Sequence, residues 1–280
     1  MNEVHHADNL DVLLKIPDAS IDLIYIDPPF NTGKIQRYQR IQTKQDEDGN
    51  RKGFVGKKYS SKIVSDTSFH DSFADFQAYL KPRLEQAKRV LKDSGSIYFH
   101  IDYREAHYCK VFLLDALFGR DNFINEIIWS YDYGARSKKR WPAKHDTILF
   151  YAKDAKKYFF DIDEVERIPY MAPGLVGPEK TKRGKTPTDV WWHTIVPTNG
   201  KERLGYATQK PLGIVKRAVF ASCPKGGTVL DFFAGSGTTG AAALERGCNF
   251  ILIDTNLEAV TVMKRRFEMR SDVEFFEATK

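Results

Sequence analysis

The sequence predicts an α/β protein with a largely parallel sheet. Short apolar runs rich in β-branched and aromatic residues alternate along its 280 residues with stretches in which apolar residues recur at helical spacing. One predicted strand ends in Asp27-Pro28-Pro29-Phe30, and a later one runs into a glycine-rich turn that opens a helix. Because ligands of open α/β sheets bind at the carboxyl ends of the strands, these two strand ends are the expected functional region.

Length and composition fit one large domain, or one domain with an insertion, around a sizeable apolar core. No apolar run approaches the roughly 18 residues of a membrane span, and the N-terminus lacks the pattern of a signal peptide. Cys109, Cys223 and Cys248 are far apart, so buried thiols in a reducing cytoplasm are expected rather than disulfides or a zinc site. The net charge of +6 and the pI near 9.0 are compatible with a polyanionic partner without requiring one.

The first predicted elements lead to the strand that ends in the two prolines. Residues 4–7 could form a short strand, residues 9–15 have the leucine spacing of a helix, and residues 21–26 read as a buried strand. Pro28 and Pro29 end this strand because neither can donate a main-chain hydrogen bond to a neighbour. An acid, two rigid carbonyls and an aromatic ring are therefore presented at the strand's carboxyl end.

Residues 31–66 are polar and basic, with little periodicity of either kind. A connection of this length without secondary structure is unusual in a compact domain unless it is functional or mobile. Two interpretations are open, a solvated loop and a lid over the site that also contacts phosphate. The basic residues concerned are Lys34, Arg37, Arg40, Lys44, Arg51, Lys52, Lys57, Lys58 and Lys62.

The rest of the chain continues the alternation, with one long interruption. We predict helices at residues 73–91, 106–118, 211–222, 238–246 and 257–269, and strands at residues 96–101, 125–131, 147–151, 228–232, 250–254 and 273–276. Residues 134–144 form a basic loop that carries Trp141. Residues 153–207 contain several prolines, a basic cluster and the adjacent Trp191 and Trp192, and we interpret them as an insertion. At most one of the two adjacent tryptophans is expected to face the core.

The glycine-rich turn has the pattern of a nucleoside-binding loop. Gly235, Gly237 and Gly240 follow the strand at residues 228–232, and the next strand ends in Asp254. Glycines allow positive φ and a close approach of a ligand to the backbone, and an acid at that position can accept hydrogen bonds from both ribose hydroxyls. The turn is not a P-loop, because no Lys-Ser or Lys-Thr follows its last glycine, and its core differs from the dinucleotide fingerprint. A compact nucleoside therefore suits this turn better than a pyrophosphate.

Two motifs, Asp27-Pro28-Pro29-Phe30 and Phe233-Ala234-Gly235-Ser236-Gly237, resemble the signatures of S-adenosylmethionine-dependent DNA methyltransferases that modify exocyclic amino groups, the N6-adenine and N4-cytosine enzymes. The catalytic motif precedes the cofactor loop, which resembles the β-group order, a circular permutation of the usual chain. Residues 205–211, 189–192 and 144–151 also look like stretches of this family. The resemblance implies a Rossmann-like class I methyltransferase fold, circularly permuted, with a seven-stranded mixed sheet and helices on both faces.

The resemblance also implies how the chain is divided. Residues 1–152 would form the catalytic half, residues 153–207 a target-recognition insertion, and residues 208–280 the cofactor-binding half of the same domain. Both residues 4–7 and residues 273–276 could supply the strand next to the catalytic one. The N-terminal segment is favoured, because Asp8 then lies where the family places an acid near the cofactor adenine.

By this resemblance, Asp27, Pro28, Pro29 and Phe30 are the catalytic residues. The amino group of a nucleobase is a poor nucleophile, because its lone pair is delocalised into the ring. The Asp27 carboxylate and the Pro28 carbonyl can each accept one N–H hydrogen bond, which favours the positive charge that develops on the nitrogen. Phe30 offers a face for stacking, and the cofactor's sulfonium delivers its methyl in line. A base inside a duplex cannot reach such a site, so the target must be flipped out.

The implied cofactor is S-adenosyl-L-methionine, and no metal site is expected, because the histidines show no metal-binding spacing. Thr208 and Lys210 are implied to approach the cofactor carboxylate; taken alone, they would be a helix cap and a surface lysine. His100 stands at a strand end and could line the pocket, although a structural histidine is the simpler interpretation. The implied cofactor residues are Asp8, Asp231, Phe233, Ala234, Gly235, Ser236, Gly237, Thr238, Asp254, Thr208 and Lys210.

Double-stranded DNA is the implied partner, and two basic segments are candidates for binding its phosphates. Trp141 and Trp192 are candidates for stacking on bases. The alternative interpretation of each basic run is a solvated face of the protein. The candidate DNA-binding residues are Arg136, Lys138, Lys139, Arg140, Lys182, Arg183 and Lys185.

The motif indicates an exocyclic amino group as the target more firmly than it indicates which base carries that group. Asp at the first motif position favours adenine N6, because N4-cytosine enzymes more often have Ser there. A ring-carbon cytosine enzyme would need a Pro-Cys pair, and Cys223-Pro224 has the reverse order. An RNA substrate and a catalytically silent DNA-binding regulator are the alternatives, and the intact motif argues against the second. A cognate restriction endonuclease and a homodimer are arrangements of this group that the sequence does not decide, and no membrane partner is expected.

Overall fold

The computed structural model describes residues 2–31, 34–49, 51–52, 57–71, 75–133, 136–197 and 199–277. The chain forms two compact units, a larger one of Met1–Pro28 with Gln77–Lys280 and a smaller one of Pro29–Phe76. Asp27 and the glycine turn both lie in the larger unit. No helix in the described part of the chain is long and apolar enough to cross a membrane.

Strands and helices alternate over most of the larger unit. The strands are β1 (Asn2–His6), β2 (Ile21–Ile26), β3 (Lys34–Gln45), β4 (Arg51–Lys52), β5 (Lys58–Asp71), β6 (Leu91–Asp102), β7 (Phe123–Ser130), β8 (His145–Ala152), β9 (Val190–Trp192), β10 (Thr228–Asp231), β11 (Asn249–Asp254) and β12 (Val273–Glu277). The helices are α1 (Asn9–Leu13), α2 (Phe76–Val90), α3 (Ala106–Cys109), α4 (Asp115–Phe118), α5 (Pro178–Arg183), α6 (Leu212–Ser222), α7 (Thr238–Arg246) and α8 (Leu257–Arg266). A π-helical segment, Lys110–Leu114, joins α3 to α4.

Among the described residues, nine strands form one sheet in the order β12-β1-β11-β10-β2-β6-β8-β7-β9. All neighbours pair in parallel except β8, which is antiparallel to both β6 and β7. The connections through α7 and α8 run toward the β12 edge, whereas those through α1 and α2 run toward the β9 edge. Because crossovers between parallel strands are right-handed, these two pairs of helices lie on opposite faces of the sheet.

Strand β2 occupies the centre of the sheet, between β10 and β6. All six of its residues are buried, as expected for a parallel strand covered on both faces. The connection after β10 turns toward one edge of the sheet and the connection after β2 toward the other. The gap between their carboxyl ends is therefore the topological switch point, where ligands of open α/β sheets bind. Asp27 and the glycine turn stand on its two sides.

Two sequence expectations about the sheet need correction. In the part of the chain that the structure describes, the sheet has nine strands rather than seven, because β12 and β9 extend its two edges. The expectation that residues 4–7 or residues 273–276 supply the strand beside the catalytic one is wrong. The main-chain groups of β2 are already paired with β10 and β6, whereas β1 lies between β11 and β12. Asp8 nevertheless follows β1 beside the end of β11, where His6 is level with Asp254.

The smaller unit replaces the structureless connection expected at residues 31–66. Strands β3 and β5 pair in an antiparallel ladder from Lys34 opposite Asp71 to Gln45 opposite Tyr59, and the short β4 pairs with β5. This ladder is defined by main-chain hydrogen bonds, which leave no apolar periodicity in a polar sequence. Lys44, Lys57, Lys58 and Lys62 are exposed. The lid and phosphate interpretation stays a prediction.

Residues 153–207 contribute to the larger unit through β9, which pairs in parallel with β7 at the edge of the sheet. Trp191 is buried and Trp192 is 68% exposed, so the prediction that at most one of them faces the core is confirmed. The other predicted elements are present with shifted ends. The predicted helix at residues 73–91 begins in part outside the described residues, and β6 already starts at Leu91, so Gly95 lies within a strand.

Candidate active site

The Asp27 carboxylate stands at the centre of the site and is asymmetrically bonded. Its Oδ2 forms an ion pair with the Nζ of Lys210, and both side chains are largely buried. Its Oδ1 is buried and has no hydrogen-bond partner among the described residues. A buried acceptor without a donor is costly, so this oxygen suits a ligand that brings an N–H group.

The motif that contains Asp27 is divided between the two units. Pro28 is buried and ends the first segment of the larger unit. Pro29 and Phe30 are half-buried and begin the smaller unit. The stacking role of Phe30 therefore stays a prediction, whereas Asp27 is fixed by contacts within the larger unit.

The glycine turn between β10 and α7 is held by hydrogen bonds to the end of β11. The N–H of Gly235 donates to Oδ2 of Asp254 at 2.8 Å, and that of Ala234 donates to the carbonyl of Ile253 at 3.1 Å. Gly235 and Gly237 have φ of +52° and +72°, which favours glycine at both positions. A Cβ at Gly237 would also stand 2.8 Å from Cγ of Met263. The turn is thus specified by backbone conformation and by packing against α8.

Two acids frame the turn from different sides. Asp231 is buried, its Oδ1 accepts the N–H of Phe233 at 3.0 Å, and its Oδ2 accepts the hydroxyl of Thr239 at 2.6 Å. Burial raises the pKa of Asp231 to about 7, against the lowering effect of these hydrogen bonds. Burial also raises the pKa of Asp254, whose oxygens accept main-chain N–H groups. Asp231 therefore stabilises the turn from the β10 side, and Asp254 contacts it from the end of β11.

The segment at residues 205–211 joins the two halves of the site. The carbonyl of Lys210 accepts the hydroxyl of Thr238 at 3.2 Å, and Ser236 lies 3.0 Å from the same hydroxyl. The side chain of Lys210 extends to Asp27. Lys210 was expected at the cofactor carboxylate, and the structure places its ammonium on the carboxylate of Asp27. Thr208 is exposed.

Gln209 is a site-building residue that the sequence did not single out. It is buried, its side-chain oxygen accepts the N–H of Leu204 at 2.9 Å, and its side-chain nitrogen donates to the carbonyl of Glu202 at 2.8 Å. Both bonds fold the segment back on itself just before Lys210. The one sequence signal for this glutamine was its position within residues 205–211, which resemble a segment of the family.

Asp8 belongs to a second polar cluster beside the glycine turn. It caps α1 by accepting the N–H of Leu10 at 2.8 Å, and it accepts from the Arg83 guanidinium at 3.1 Å. Arg83 also donates to Asn9, whose side-chain nitrogen donates to the carbonyl of Phe232 at 2.7 Å. This chain connects α2 and α1 to the end of β10. Asn9 and Arg83 were missed, because buried polar residues carry no periodic pattern.

A buried hydrogen-bonded chain begins on β2 and crosses the sheet through β6 to β8. The hydroxyl of Tyr25 is 2.9 Å from Nδ1 of His100, and Nε2 of His100 is 3.3 Å from Oδ2 of Asp146. The Tyr131 hydroxyl donates to Oδ1 of Asp146 at 3.2 Å. Burial would raise the pKa of Asp146, but His100, the charge of Lys210 and the hydrogen bond from Tyr131 together outweigh it and lower the pKa. His100 is thus a fully buried histidine held on both sides, which fits the structural interpretation.

The predicted DNA-binding residues lie on the surface. Arg136, Lys138, Lys139 and Arg140 are exposed in the loop after β7, and the neighbouring Trp141 is 95% exposed. Lys182 and Arg183 are exposed on α5, and Lys185 is half-buried beside the bridge to Ile168. Cys109, Cys223 and Cys248 are buried free thiols, as predicted. Among the described residues, no group of acids, histidines and cysteines could hold a metal ion.

Comparison with known proteins identifies the family. The model for the N6/N4 methyltransferases, described as DNA methylase, matches residues 21–265. The chain belongs to the DNA methylase family. Among its relatives, the DNA adenine methyltransferase YhdJ of Escherichia coli (strain K12) is 32% identical over 279 residues, which cover 95% of this chain and 82% of that protein. The type II methyltransferase M.HpaI of Haemophilus parainfluenzae is 29% identical over 262 residues, which cover 92% and 72%.

Solved structures of methyltransferases share the fold of this family member. The PvuII DNA methyltransferase (cytosine-N4-specific) superposes with a TM-score of 0.66 at 15% identity, covering 98% of this chain and 89% of that one. The M1.HpyAVI–SAM complex superposes with a TM-score of 0.59 at 18% identity, covering 95% and 99%. The predicted fold class, family, enzyme class and methyl donor are confirmed: the protein is an S-adenosylmethionine-dependent DNA amino-methyltransferase.

Proposed function

We propose that this methyltransferase acts on adenine N6, in a base flipped out of double-stranded DNA at a specific sequence. The observation that carries the proposal is the asymmetric Asp27, with one oxygen held by Lys210 and the other buried without a partner in the described structure. An exocyclic amine supplies the N–H group that this oxygen lacks. Asp at this position and the 32% identity to an adenine methyltransferase favour adenine over cytosine N4.

Asp27, Pro28 and Lys210 would act together on the amine. Oδ1 of Asp27 accepts one N–H of the base and the Pro28 carbonyl accepts the other, which pulls electron density toward the nitrogen. Lys210 holds the second carboxylate oxygen and so fixes the direction in which the first one points. We assign Lys210 as a positioning residue for Asp27, because its ammonium contacts the acid directly.

The residues around the glycine turn fit the methyl donor, which supplies an electrophilic methyl group when bound. Asp254 has two oxygens that already accept N–H groups, yet a carboxylate offers about four acceptor positions. Asp8 follows β1 and Asp254 ends the neighbouring β11, so both can approach one nucleoside. Residues 233–238 include the turn that would contact the methyl donor. The hydrogen bonds that Asp231 accepts from Phe233 and Thr239 hold the turn in shape.

Binding of DNA would involve the two exposed basic segments, around Lys139 and Lys182, with residues 153–207 as the target-recognition region between the halves 1–152 and 208–280. Cationic side chains that contact phosphate set affinity and register rather than sequence. A cytoplasmic location, a cognate restriction endonuclease and a homodimer belong to the proposal as predictions. The endonuclease is suggested by relatives that are named type II methyltransferases.

Expression in a host without DNA methylation, followed by modification-sensitive sequencing, tests the proposal. We expect N6-methyladenine in one short sequence context, and its loss in Asp27→Ala. The exposed Asp11→Ala is the matched control and should leave the mark unchanged. N4-methylcytosine would overturn the choice of base. Absence of any new mark, with the folded protein present, would favour the silent DNA-binding alternative.

A further inference from the structure

A cavity of about 350 Å³ lies away from the catalytic edge of the sheet. Its walls come from strands β6, β7, β8 and β9, from α6 and from parts of residues 153–207. Asn125 is near the start of β7 and Asp189 precedes β9, so the cavity opens toward the amino-terminal ends of these strands. Asp27 follows the carboxyl end of β2, and two strands, β6 and β8, lie between β2 and β7. The cavity is therefore separate from the methyl-transfer site.

The size and walls of the cavity suit a flat ring. Ligand pockets usually enclose roughly 300–1,000 Å³, and this one falls in that range. Tyr98 and Phe150 are stacked, with ring centroids 4.3 Å apart and planes at 14°, and Phe160 continues the stack at 6.1 Å from Phe150. Phe160 is 44% exposed although it is aromatic, so part of this wall faces the opening. Tyr98 and Phe150 are buried within this stack, so Phe160 is the ring of the three whose face a planar ligand can contact.

Arg217 places a positive charge in the same cavity. Its guanidinium carbon lies 5.5 Å from the ring centroid of Trp191, which is buried. Within the described part of the chain, its guanidinium forms no hydrogen bond and no ion pair. Burial lowers the pKa of Arg217, and the charge of Glu166 opposes that effect. A partly desolvated cation with five N–H donors is satisfied best by a carboxylate or phosphate.

Two other polar residues of the cavity can form hydrogen bonds with nitrogen and oxygen atoms of a ligand ring. The side-chain amide of Asn125 can both donate and accept, and the carboxylate of Asp189 can accept from a ring N–H. We infer that this cavity binds a nucleoside monophosphate, with its base against the aromatic wall and its phosphate on Arg217. The inference does not depend on the proposed function, because the cavity contains no residue assigned to catalysis or to the methyl donor.

Titration calorimetry of the full chain with 2′-deoxynucleoside 5′-monophosphates tests the inference. Saturating S-adenosylhomocysteine is included, so that the methyl-donor site cannot bind the probe. We expect saturable binding of at least one monophosphate, and binding about tenfold or more weaker for the matching nucleoside without phosphate. Arg217→Met should weaken the monophosphate to the level of the nucleoside. Lys216→Met is the matched control, because Lys216 pairs with Glu245 and does not line the cavity.

A second variant guards against a packing effect of the Arg217 substitution. Thr188 is exposed at the rim, so Thr188→Trp should close the cavity and abolish binding without disturbing the core. The inference is overturned by no saturable binding at about 10 mM probe, a concentration that would detect even a millimolar site. It is equally overturned if the nucleoside binds as tightly as its monophosphate, or if Arg217→Met binds like the wild type. DNA methylation in the same preparation reports separately on the proposed function.

Discussion

Asp231 and Asp27 follow or end neighbouring strands, but their carboxylates have different surroundings. One stabilises the structure of the site, and we propose that the other takes part in the reaction. Asp231 ends β10, and both of its oxygens accept hydrogen bonds from the turn that follows. Asp27 follows β2, and within the described ranges one of its oxygens has a partner, the ammonium of Lys210, and the other has none. The hydrogen bonds of Asp231 stabilise the shape of the turn, whereas the buried Oδ1 of Asp27 is available to a substrate. The two acids should therefore respond in opposite ways to the same substitution.

The largest expected effect is on catalysis at Asp27. Asp27→Ala removes one of two acceptors for the amine, and methyl transfer should fall by about 10³-fold or more. The variant should still fold, although the largely buried Lys210 ammonium loses its partner, so the rate is compared on the folded fraction. Transfer of labelled methyl to DNA and thermal unfolding are measured on the same preparation. A variant that methylates at the wild-type rate would remove Asp27 from the mechanism.

The next effect sharpens the role of Lys210. Lys210→Met leaves the Asp27 carboxylate without its anchor, and we expect kcat to fall by about 100-fold, with a much smaller change in KM for DNA. Lys210→Arg restores a cation and should recover part of the rate. Lys216→Met is the control for general loss of charge near α6 and should leave kcat unchanged. A purely structural lysine would instead lower the unfolding temperature and leave kcat of the folded fraction intact.

Asp231 should show the reverse pattern. Asp231→Ala leaves the N–H of Phe233 and the hydroxyl of Thr239 without acceptors, and the free energy of unfolding should fall by about 1–3 kcal/mol. Denaturant unfolding monitored by tryptophan fluorescence measures this loss. Binding of the methyl donor should weaken as a consequence of the disturbed turn. An unchanged midpoint would mean that the turn holds its shape without the acid.

Because the pKa of Asp231 is raised in the folded protein, its contribution to the free energy of unfolding should depend on pH. Its pKa is about 7 in the folded protein, whereas an unfolded Asp titrates near pH 4. The folded state therefore binds more protons between these values, and the stabilisation by Asp231 is full below about pH 4 and lost as the pH rises through about 7. Relative to Asp231→Asn, the wild type should lose unfolding free energy across this window, by a few kcal/mol at most. Parallel stability curves for the two proteins would contradict the expectation.

The smallest effects are expected from the exposed basic segments. Lys139→Ala and Lys182→Ala each remove one candidate phosphate-binding side chain, so binding of DNA should weaken a few-fold for every sequence. The slope of log affinity against log salt should decrease by about 1 for each lysine that binds a phosphate. Lys264→Ala, on α8 and paired with Glu277, is the control. A slope that does not change would assign the mutated lysine to the solvated surface.

Local patterns sufficed for the elements that carry the motifs. The apolar run before Asp27 and the glycine turn after β10 predicted a strand end and a strand–turn–helix unit, and both are present. The ion pair between Lys210 and Asp27 joins residues 183 positions apart, and no local spacing encodes it. The family resemblance predicted that Lys210 belongs to the site, but it predicted a contact with the cofactor carboxylate rather than with Asp27.

The neighbours of each strand were harder to predict than the strands themselves. Residues 4–7 were recognised as a strand, but parallel pairing leaves no turn in the sequence that fixes a partner, so the position of β1 was wrong. The sheet of the smaller unit was missed for a different reason. Its polar strands are held by main-chain pairing, which the alternation of side chains does not report.

The pairing of β2 with β10 has a consequence for how the enzyme is made. Leu23 is level with Val229 and Ile24 with Leu230, so the centre of the sheet joins parts of the chain that are synthesised far apart in time. A nascent chain that has emerged as far as β9 already carries Asp27 but has neither Lys210 nor the glycine turn. Contacts between such distant segments form slowly. Asp27 and the glycine turn therefore come to the same edge of the sheet only after β10 has been translated and paired with β2.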